Sequence, residues 1–250
     1  MSELWFYPAL FLAGIVAGTL NVIAGGGSFL TIPLLIFMGL PPLVANGTNR
    51  IGILLQNVAA TRSFKKHGFL NKLPVVPCVA SMMAGSALGV PAAIMVGNDG
   101  FKRILAIFMI IVSLWTITDP LKKFQSLGRE GEINKTAAVI GFFFCGFISG
   151  FVQAGVGFFI LALTTLLGLD MVRGNALKVT VILGAMILSL SLYAWQGMVL
   201  PVPGLVLAGG TILGSQIGVK LTILKGHKWV KGVVTVMVIL FAVKLLFDNN

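Results

Sequence analysis

The chain has 250 residues, of which 57% are hydrophobic and only 10% are charged. Soluble domains carry about 25% charged residues, so a chain this apolar has too little polar surface to cover itself in water. The composition excludes disordered, secreted disulfide-rich and nucleic-acid-binding proteins. At about 20 apolar residues for each crossing, the length suits about eight to ten transmembrane helices.

The net charge of +11 arises mainly from short connections between apolar segments. Most Lys and Arg residues lie within 62–72, 102–103, 122–135 and 225–231. Clusters of this kind are typical of the cytoplasmic loops of membrane proteins. We therefore interpret the positive charge as a sign of membrane topology, with the lipid bilayer rather than a nucleic acid as the partner.

Apolar segments follow one another along the whole chain, and two of them are short. They are predicted at 4–24, 29–40, 43–61, 73–97, 104–118, 136–152, 156–169, 179–195, 200–224 and 229–247. The first lacks a basic n-region and a clear cleavage site, so we expect a retained span rather than a signal peptide. At about 1.5 Å per residue, 29–40 and 156–169 are too short for a hydrocarbon core of about 30 Å. Each follows a Gly-rich turn, which predicts a short broken helix.

The chain contains an internal duplication. Asn46 and Asn175 lie 129 residues apart, and the block Gly85-Ser86-x-x-Gly89-Val90 recurs at the same spacing as Gly214-Ser215-x-x-Gly218-Val219. The pattern predicts a first transmembrane repeat at 1–118, a cytoplasmic connection at 119–135 and a second repeat at 136–250. Together they would form one integral membrane domain.

The basic connections indicate that the two repeats are inverted. The connection 62–72 carries four basic residues, whereas its counterpart at 190–201 carries none. Equivalent loops would then face opposite sides of the membrane, with the connection at 97–103 outside. The predicted fold class is an all-α polytopic membrane protein with two inverted repeats of about five transmembrane segments, including short broken helices. Such an arrangement is typical of secondary transporters.

Charged residues within the apolar segments are almost all positive. Arg50, Arg173, Lys178 and Lys220 lie in or at the edges of spans, whereas only one carboxylate, Asp170, lies near a span. Because charges inside a membrane are costly, a positive interior without matching carboxylates favours an anionic ligand. Snorkelling of these long side chains to the interface is the alternative.

The first polar cluster covers residues 45–50 and has a counterpart at 174–178. It supplies the candidate substrate-binding residues Asn46, Thr48, Asn49, Arg50, Asn175 and Lys178. We expect helices to begin at Asn46 and Asn175, because a helix start offers free N–H groups and a partial positive charge to an anion. Both starts would aim at one point together with Arg50 and Lys178. Ordinary capping and hydrogen bonding between helices remain the alternative.

The second polar cluster surrounds the glycines at 25–27 and has a counterpart at 153–157. Consecutive glycines in a bilayer can unwind a helix where a cavity receives the exposed backbone. Asn21, Ser28 and Gln153 could donate hydrogen bonds to ligand oxygens. The chain shows no metal-ligand spacing and no nucleophile triad. We therefore expect a protein that is not an enzyme and that has no cofactor and no metal site.

These motifs resemble the signature of the sulfite exporter family, TauE/SafE. The first-repeat part is carried by 24–28, Pro33, 39–42 and 45–49, and the second-repeat part by 155–157, 168–169 and 174–176. The second part departs from the family pattern, because Ala162 stands where Pro33 would align and the glycine run is shorter. The resemblance covers essentially the whole chain. It implies a multi-pass permease of the bacterial inner membrane that exports sulfite, sulfonates or related small organic anions.

The sequence thus predicts a secondary transporter that exports a small sulfur-containing anion by alternating access. The anion is expected near mid-membrane, between the Gly-rich turns and the helix starts at Asn46 and Asn175. An anion channel, a transporter of another small organic anion, and a membrane enzyme or assembly subunit are the alternatives.

Overall fold

The chain folds into α-helices. The computed structural model describes residues 5–117 and 134–225, and no strand occurs within these two ranges. The helices are α1 (Phe6–Ile23), α2 (Ser28–Phe37), α3 (Pro42–Lys66), α4 (Val75–Ile117), α5 (Lys135–Phe151), α6 (Val156–Leu166), α7 (Met171–Trp195) and α8 (Pro201–Lys225). By length and composition, α1, most of α4, α7 and α8 are each able to cross a membrane. The predicted class of an all-α polytopic membrane protein is confirmed.

Two helices are too short to cross a bilayer, as the sequence predicts. α2 has 10 residues and α6 has 11, which gives each a length of about 15 Å against a core of about 30 Å. Gly25 precedes α2 with φ of 89°, and Gly155 precedes α6 with φ of 72°. Glycine adopts this left-handed conformation without steric cost, so the chain can turn sharply before each short helix.

The order of helices in 5–117 recurs in 134–225. α3 and α7 both have 25 residues, and their first residues, Pro42 and Met171, lie 129 positions apart. Glycines with positive φ also pair at this spacing, as Gly39 with Gly168 and Gly68 with Gly197. The backbone therefore repeats along with the sequence, while the inverted orientation of the two repeats stays a prediction.

The two halves pack closely against each other. α1 packs against α8, and α4 packs against α5. A Cβ added to Gly18 would come within 3.0 Å of the Thr211 backbone, and one added to Gly150 within 3.0 Å of the Ser86 backbone. Small residues let membrane helices approach this closely. The first helix of each half is therefore held by the fourth helix of the other half.

The two helix starts predicted at Asn46 and Asn175 are wrong. α3 begins four residues earlier at Pro42, and α7 begins four residues earlier at Met171. Proline suits the first helical position because its fixed φ matches the helix and its missing N–H would be unpaired there anyway. Both asparagines therefore lie inside a helix, where their backbone N–H groups belong to the helical hydrogen-bond ladder.

Side chains already cap the true starts of these two helices. The Leu43 N–H of α3 donates to Asn98 Oδ1 at 3.0 Å. In α7, the N–H groups of Val172 and Arg173 donate to Asp170 Oδ1 at 2.9 and 3.0 Å. A cap accepts hydrogen bonds from N–H groups that would otherwise be free to donate to an anion. Neither helix start is therefore the free anion site that the sequence suggested.

The connection expected at 97–103 is reduced to a break at Gly97. The helix labelled α4 consists of two helices that meet at this residue, where φ is 75° and ψ is 177°. The break divides α4 into two arms, and Asn98 at the break supplies the cap of α3. The predicted segment 229–247 and most of the connection at 119–135 lie outside the described residues.

Aromatic side chains join the second arm of α4 to both short helices. The Phe108 ring centroid lies 6.5 Å from that of Phe29 in α2 and 5.9 Å from that of Phe159 in α6. Aromatic pairs at these separations contribute about 0.5–1.5 kcal/mol beyond the burial of their area. The second arm of α4 thus holds α2 and α6 in place beside the turns that precede them.

Candidate functional site

The Gly-rich turns before α2 and α6 touch each other. A Cβ added to Gly25 would collide with the Gly157 backbone, and a Cβ added to Gly157 would collide with that of Gly25. In the first turn, the Gly27 N–H donates to Asn21 Oδ1 at 2.8 Å. In the second, Gln153 has a φ of 62°, which is rare for a residue with a side chain. The two turns form one junction between the halves of the chain.

A narrow cavity lies at this junction. It is lined by Asn21, Gly25, Ile53, Gln56, Asn57, Gln153, Val156, Gly157, Lys178 and Ile182. The cavity has room for about one water molecule, which is too little for a sulfur oxyanion. The surrounding helices therefore have to separate before an anion of that size can enter.

Lys178 is the cation that lines the cavity. Its side chain is only 1% exposed. Its Nζ donates to the carbonyl oxygens of Asn21 and Val22 at 3.0 and 2.7 Å, and to Asn175 Oδ1 at 2.6 Å. The two carbonyls belong to the last turn of α1, where the helix dipole is negative. These bonds use all three N–H groups of the ammonium.

Arg50 lies outside the cavity lining and holds a different helix end. Its side chain is fully buried, and Nη2 donates to the carbonyl oxygens of Ser149 and Gly150 at 3.1 and 2.7 Å. Its Cζ lies 4.5 Å from the centroid of the Tyr193 ring, a cation–π distance. Within the described ranges, Nε and Nη1 have no hydrogen-bond partner. Arg50 therefore keeps three unused N–H donors, one on Nε and two on Nη1.

Arg50 and Lys178 do not converge on one point in this conformation. Only Lys178 lines the cavity, and each cation binds the last turn of a helix from the other half. Both are nevertheless buried rather than extended to the membrane surface. The structure thus places one buried cation at the helix end that precedes each Gly-rich turn.

The remaining candidates around the first turn fall into two groups. Asn21 and Gln153 line the cavity. Ser28 and Asn49 lie in a separate buried cluster between α2 and α3. In it, Thr31 Oγ1 donates to Asn49 Oδ1 at 2.6 Å, and Asn49 Nδ2 donates to Ser28 Oγ at 3.3 Å. This cluster joins the short helix α2 to α3, and none of its three members lines the cavity.

Two further candidates hold backbone or side-chain groups in place. Thr48 Oγ1 accepts a hydrogen bond from the Leu200 N–H at 3.0 Å, which joins α3 to the connection before α8. Asn175 accepts from Lys178 and donates through Nδ2 to the Met171 carbonyl at 3.0 Å. Asn175 therefore acts on the site by orienting the lysine.

Tyr193 completes the surroundings of Arg50 and was not among the residues predicted from the sequence. Asn46 Nδ2 donates to Tyr193 Oη at 2.9 Å and to the Phe151 carbonyl at 3.0 Å. Tyr193 is fully buried, as is Phe64, which stands 129 residues before it. The sequence offered one signal for Tyr193, because its hydroxyl is absent from Phe64 at the equivalent position of the first repeat. Gln56 and Asn57 also line the cavity and were not among the residues predicted to bind substrate.

The buried charge of the site is positive. The only carboxylate residues within 5–117 and 134–225 are Asp99 and Asp170, and both are exposed. The helix ends that Arg50 and Lys178 contact supply only partial negative charge, about half an elementary charge each. In the same ranges, no group of three or more His, Cys, Asp and Glu residues is placed to hold a metal.

Residues 10–245 match the sequence profile of the family described as "Sulfite exporter TauE/SafE". The chain belongs to this family. The TauE/SafE match spans both Gly-rich turns, both buried cations and every described helix but the first few residues of α1. The resemblance seen in the sequence motifs is therefore confirmed.

Curated relatives extend over nearly the whole chain. A "Probable membrane transporter protein ORF9" of Sinorhizobium sp. is 31% identical over 258 residues, which cover 99% of this chain and 96% of the relative. A "Probable membrane transporter protein" of Haemophilus influenzae is 29% identical, covering 96% and 94%. "Probable membrane transporter protein YfcA" of Escherichia coli K12 is 28% identical, covering 96% and 90%. Together with the apolar helices, these matches identify a multi-pass membrane protein of a transporter family.

Proposed function

We propose that this TauE/SafE protein exports a small sulfur-containing anion, such as sulfite or an organosulfonate, across the bacterial inner membrane. The observation that carries the proposal is the burial of Arg50 and Lys178 without a carboxylate partner among the described residues. Insertion scales give a cost of about 2.5–3.5 kcal/mol for one such charge at a helix centre. Two retained cations are best explained by a ligand of opposite charge.

Asn21, Gln153 and Lys178 would contact the anion in the cavity, and Arg50 would contact it at a second position, beside Tyr193. Lys178 brings charge, and Asn21 Nδ2 is a buried donor that has no partner in the described structure. Such donors suit the oxygens of a sulfur oxyanion. Asn46 and Asn175 then position the two cations through the contacts described above.

Alternating access is supported by the way the cations join the two halves. Arg50 and Lys178 bind backbone carbonyls at the ends of α5 and α1. An oxyanion competes for the same N–H donors, and charge-assisted bonds to an anion are stronger than bonds to a neutral carbonyl. Binding would therefore weaken the contacts that hold the helix ends and would favour a conformation with a wider cavity.

Counterflow in proteoliposomes distinguishes the proposed transporter from an anion channel. Vesicles containing the purified protein are loaded with unlabelled sulfite, and uptake of [35S]sulfite is followed. A transporter takes up label faster when unlabelled sulfite is inside, because the binding site then returns loaded with unlabelled sulfite and avoids the slower reorientation of the empty site. A channel shows no such stimulation.

Charge-removing variants test which residues bind the anion. Arg50→Met and Lys178→Met should each lower the initial rate of counterflow at least tenfold. Lys220→Met is the matched control, because Lys220 is an exposed cation in α8 and should retain the wild-type rate. Wild-type rates in both buried-cation variants would overturn the assignment.

A further inference from the structure

Two buried side-chain oxygens beside the cations lack a hydrogen-bond partner in the described structure. They are Asn46 Oδ1 and Gln56 Oε1, and their side chains are 0% and 2% exposed. Amide oxygens only accept hydrogen bonds. A buried acceptor without a donor is costly, so each unpaired oxygen calls for an explanation.

The Asn46 oxygen lies in the surroundings of Arg50. The Phe151 carbonyl can only accept, so its bond from Asn46 Nδ2 fixes which end of the amide is the free oxygen. Asn46 and Arg50 are four residues apart and therefore share one face of α3. Both contact Tyr193, Asn46 at the hydroxyl and Arg50 over the ring. One location thus combines unused cationic donors with an unused acceptor.

The Gln56 oxygen belongs to the cavity that Lys178 lines. Asn21 lines the same cavity, and its Nδ2 has no partner in the part of the chain described. The bond from the Gly27 N–H to Asn21 Oδ1 fixes Nδ2 as the free end of that amide. The cavity therefore also combines a cation, a free donor and a free acceptor, as at Arg50.

A ligand that only accepts hydrogen bonds does not fit this combination. An oxyanion without a hydrogen would satisfy the donors of Asn21 and Arg50, but its oxygens would face the unpaired oxygens of Gln56 and Asn46. An anion with an O–H or N–H group satisfies both kinds of partner. A site that offers a buried acceptor rejects an analogue that lacks the donor.

We propose that the transported anion carries a hydrogen-bond donor, received by Gln56 Oε1 when the anion lies in the cavity and by Asn46 Oδ1 when it lies beside Arg50. The substrate class is then hydrogen sulfite or a sulfonate with a hydroxyl or amino group. These anions are preferred to fully deprotonated oxyanions and to sulfonates whose substituent is purely apolar. This inference rests on the proposed function, since it concerns the same site.

Three monoanionic sulfonates test the inference at a single pH. Uptake of [35S]sulfite by wild-type proteoliposomes is measured against 2-hydroxyethanesulfonate, ethanesulfonate and 2-methoxyethanesulfonate. Only the first has a donor, while ethanesulfonate is smaller and the methoxy compound larger, so size does not account for a preference over both. We expect 2-hydroxyethanesulfonate to inhibit at a concentration about tenfold below the other two, the effect of one well-placed hydrogen bond.

Variants test whether the two oxygens cause the preference for 2-hydroxyethanesulfonate. Asn46→Leu and Gln56→Met remove the acceptors, and in the double variant the inhibitory concentrations should become equal. Gln216→Met is the control, because Gln216 lies in α8 outside the cavity lining, and it should keep the preference. If the double variant does not fold, the wild-type comparison still decides the matter.

The outcomes separate the inference from the proposed function. Equal inhibition by the three sulfonates in the wild type, or inhibition by none, would overturn the inference, because a donor would then bring no advantage and the two oxygens would simply be hydrated. Anion counterflow would remain. Absence of sulfite uptake by folded wild-type protein would instead overturn the proposed function.

Discussion

Arg50 and Lys178 hold the ends of two helices, each from the opposite half of the chain. Arg50, in α3, donates to the two carbonyls that precede the last residue of α5. Lys178, in α7, donates to the two carbonyls that precede the last residue of α1. The equivalent position of α1 and α5 is thus bound in both halves, each time by a cation from the other half. The two side chains tie the halves together at the level where the Gly-rich turns begin.

Replacing Arg50 by lysine should lower transport although the charge is kept. A lysine ammonium cannot reproduce the planar set of donors or the stacking on Tyr193. We expect the initial rate of [35S]sulfite counterflow to fall at least tenfold in Arg50→Lys. A wild-type rate would mean that positive charge alone suffices at this position.

The contact between the two turns should not tolerate a methyl group. A Cβ on Gly157 would collide with the Gly25 backbone, which cannot move aside as a side chain can. Overpacking of this kind costs about 1–3 kcal/mol, so Gly157→Ala should lower the unfolding midpoint and abolish counterflow.

Gly209→Ala provides the matched control for this substitution. The nearest atoms to a Cβ there belong to the side chain of Phe11, at 3.2 Å. Its stability and transport rate should stay close to those of the wild type. Equal behaviour of the Gly157 and Gly209 variants would contradict a tight junction of the turns.

The cap of α7 should contribute to stability. Asp170 accepts from two backbone N–H groups of the first turn, and loss of such a cap costs about 1 kcal/mol. Asp170→Ala should therefore lower the free energy of unfolding in mixed micelles by about 1 kcal/mol, whereas Asp170→Asn should largely preserve it. Asp99→Ala, at another exposed carboxylate, should have little effect. A full loss in the asparagine variant would show that charge, not capping, is responsible.

Ligand binding should raise the thermal stability of the detergent-purified protein. An anion that binds only the folded form at about 100 times its Kd contributes about 2.7 kcal/mol. Sulfite, taurine, sulfoacetate, sulfate and simple carboxylates can be compared by the shift in Tm. A sulfur anion should give the largest shift in the wild type, and Lys178→Met should lose it. Equal shifts in both proteins would place binding elsewhere.

The sequence predicted those features that depend on local composition. The short helices α2 and α6 followed from apolar runs of limited length after Gly-rich turns. The burial of Arg50 and Lys178 was expected from cations within apolar segments and is confirmed. Such features are encoded by neighbouring residues, so a single sequence reveals them.

The features that the sequence missed depend on distant residues. Asn46 has good capping chemistry, yet α3 begins at Pro42, where Asn98 from another helix supplies the cap. Arg50 stacks on Tyr193, which lies far along the chain, so no neighbouring residue in the sequence indicates this contact. Local capping preferences are weak compared with tertiary packing, so they could not decide either point.

Location of a heavier analogue of sulfite tests the central claim most directly. Crystals of the protein soaked with selenite would show the selenium position through its anomalous scattering. We predict a selenium peak at which the selenite oxygens are within hydrogen-bonding distance of Lys178 Nζ or of the unpaired Arg50 nitrogens, and its loss in crystals of Lys178→Met or Arg50→Met, respectively. Selenium bound only at exposed cations such as Lys65 and Lys66 would contradict an anion site between the two Gly-rich turns.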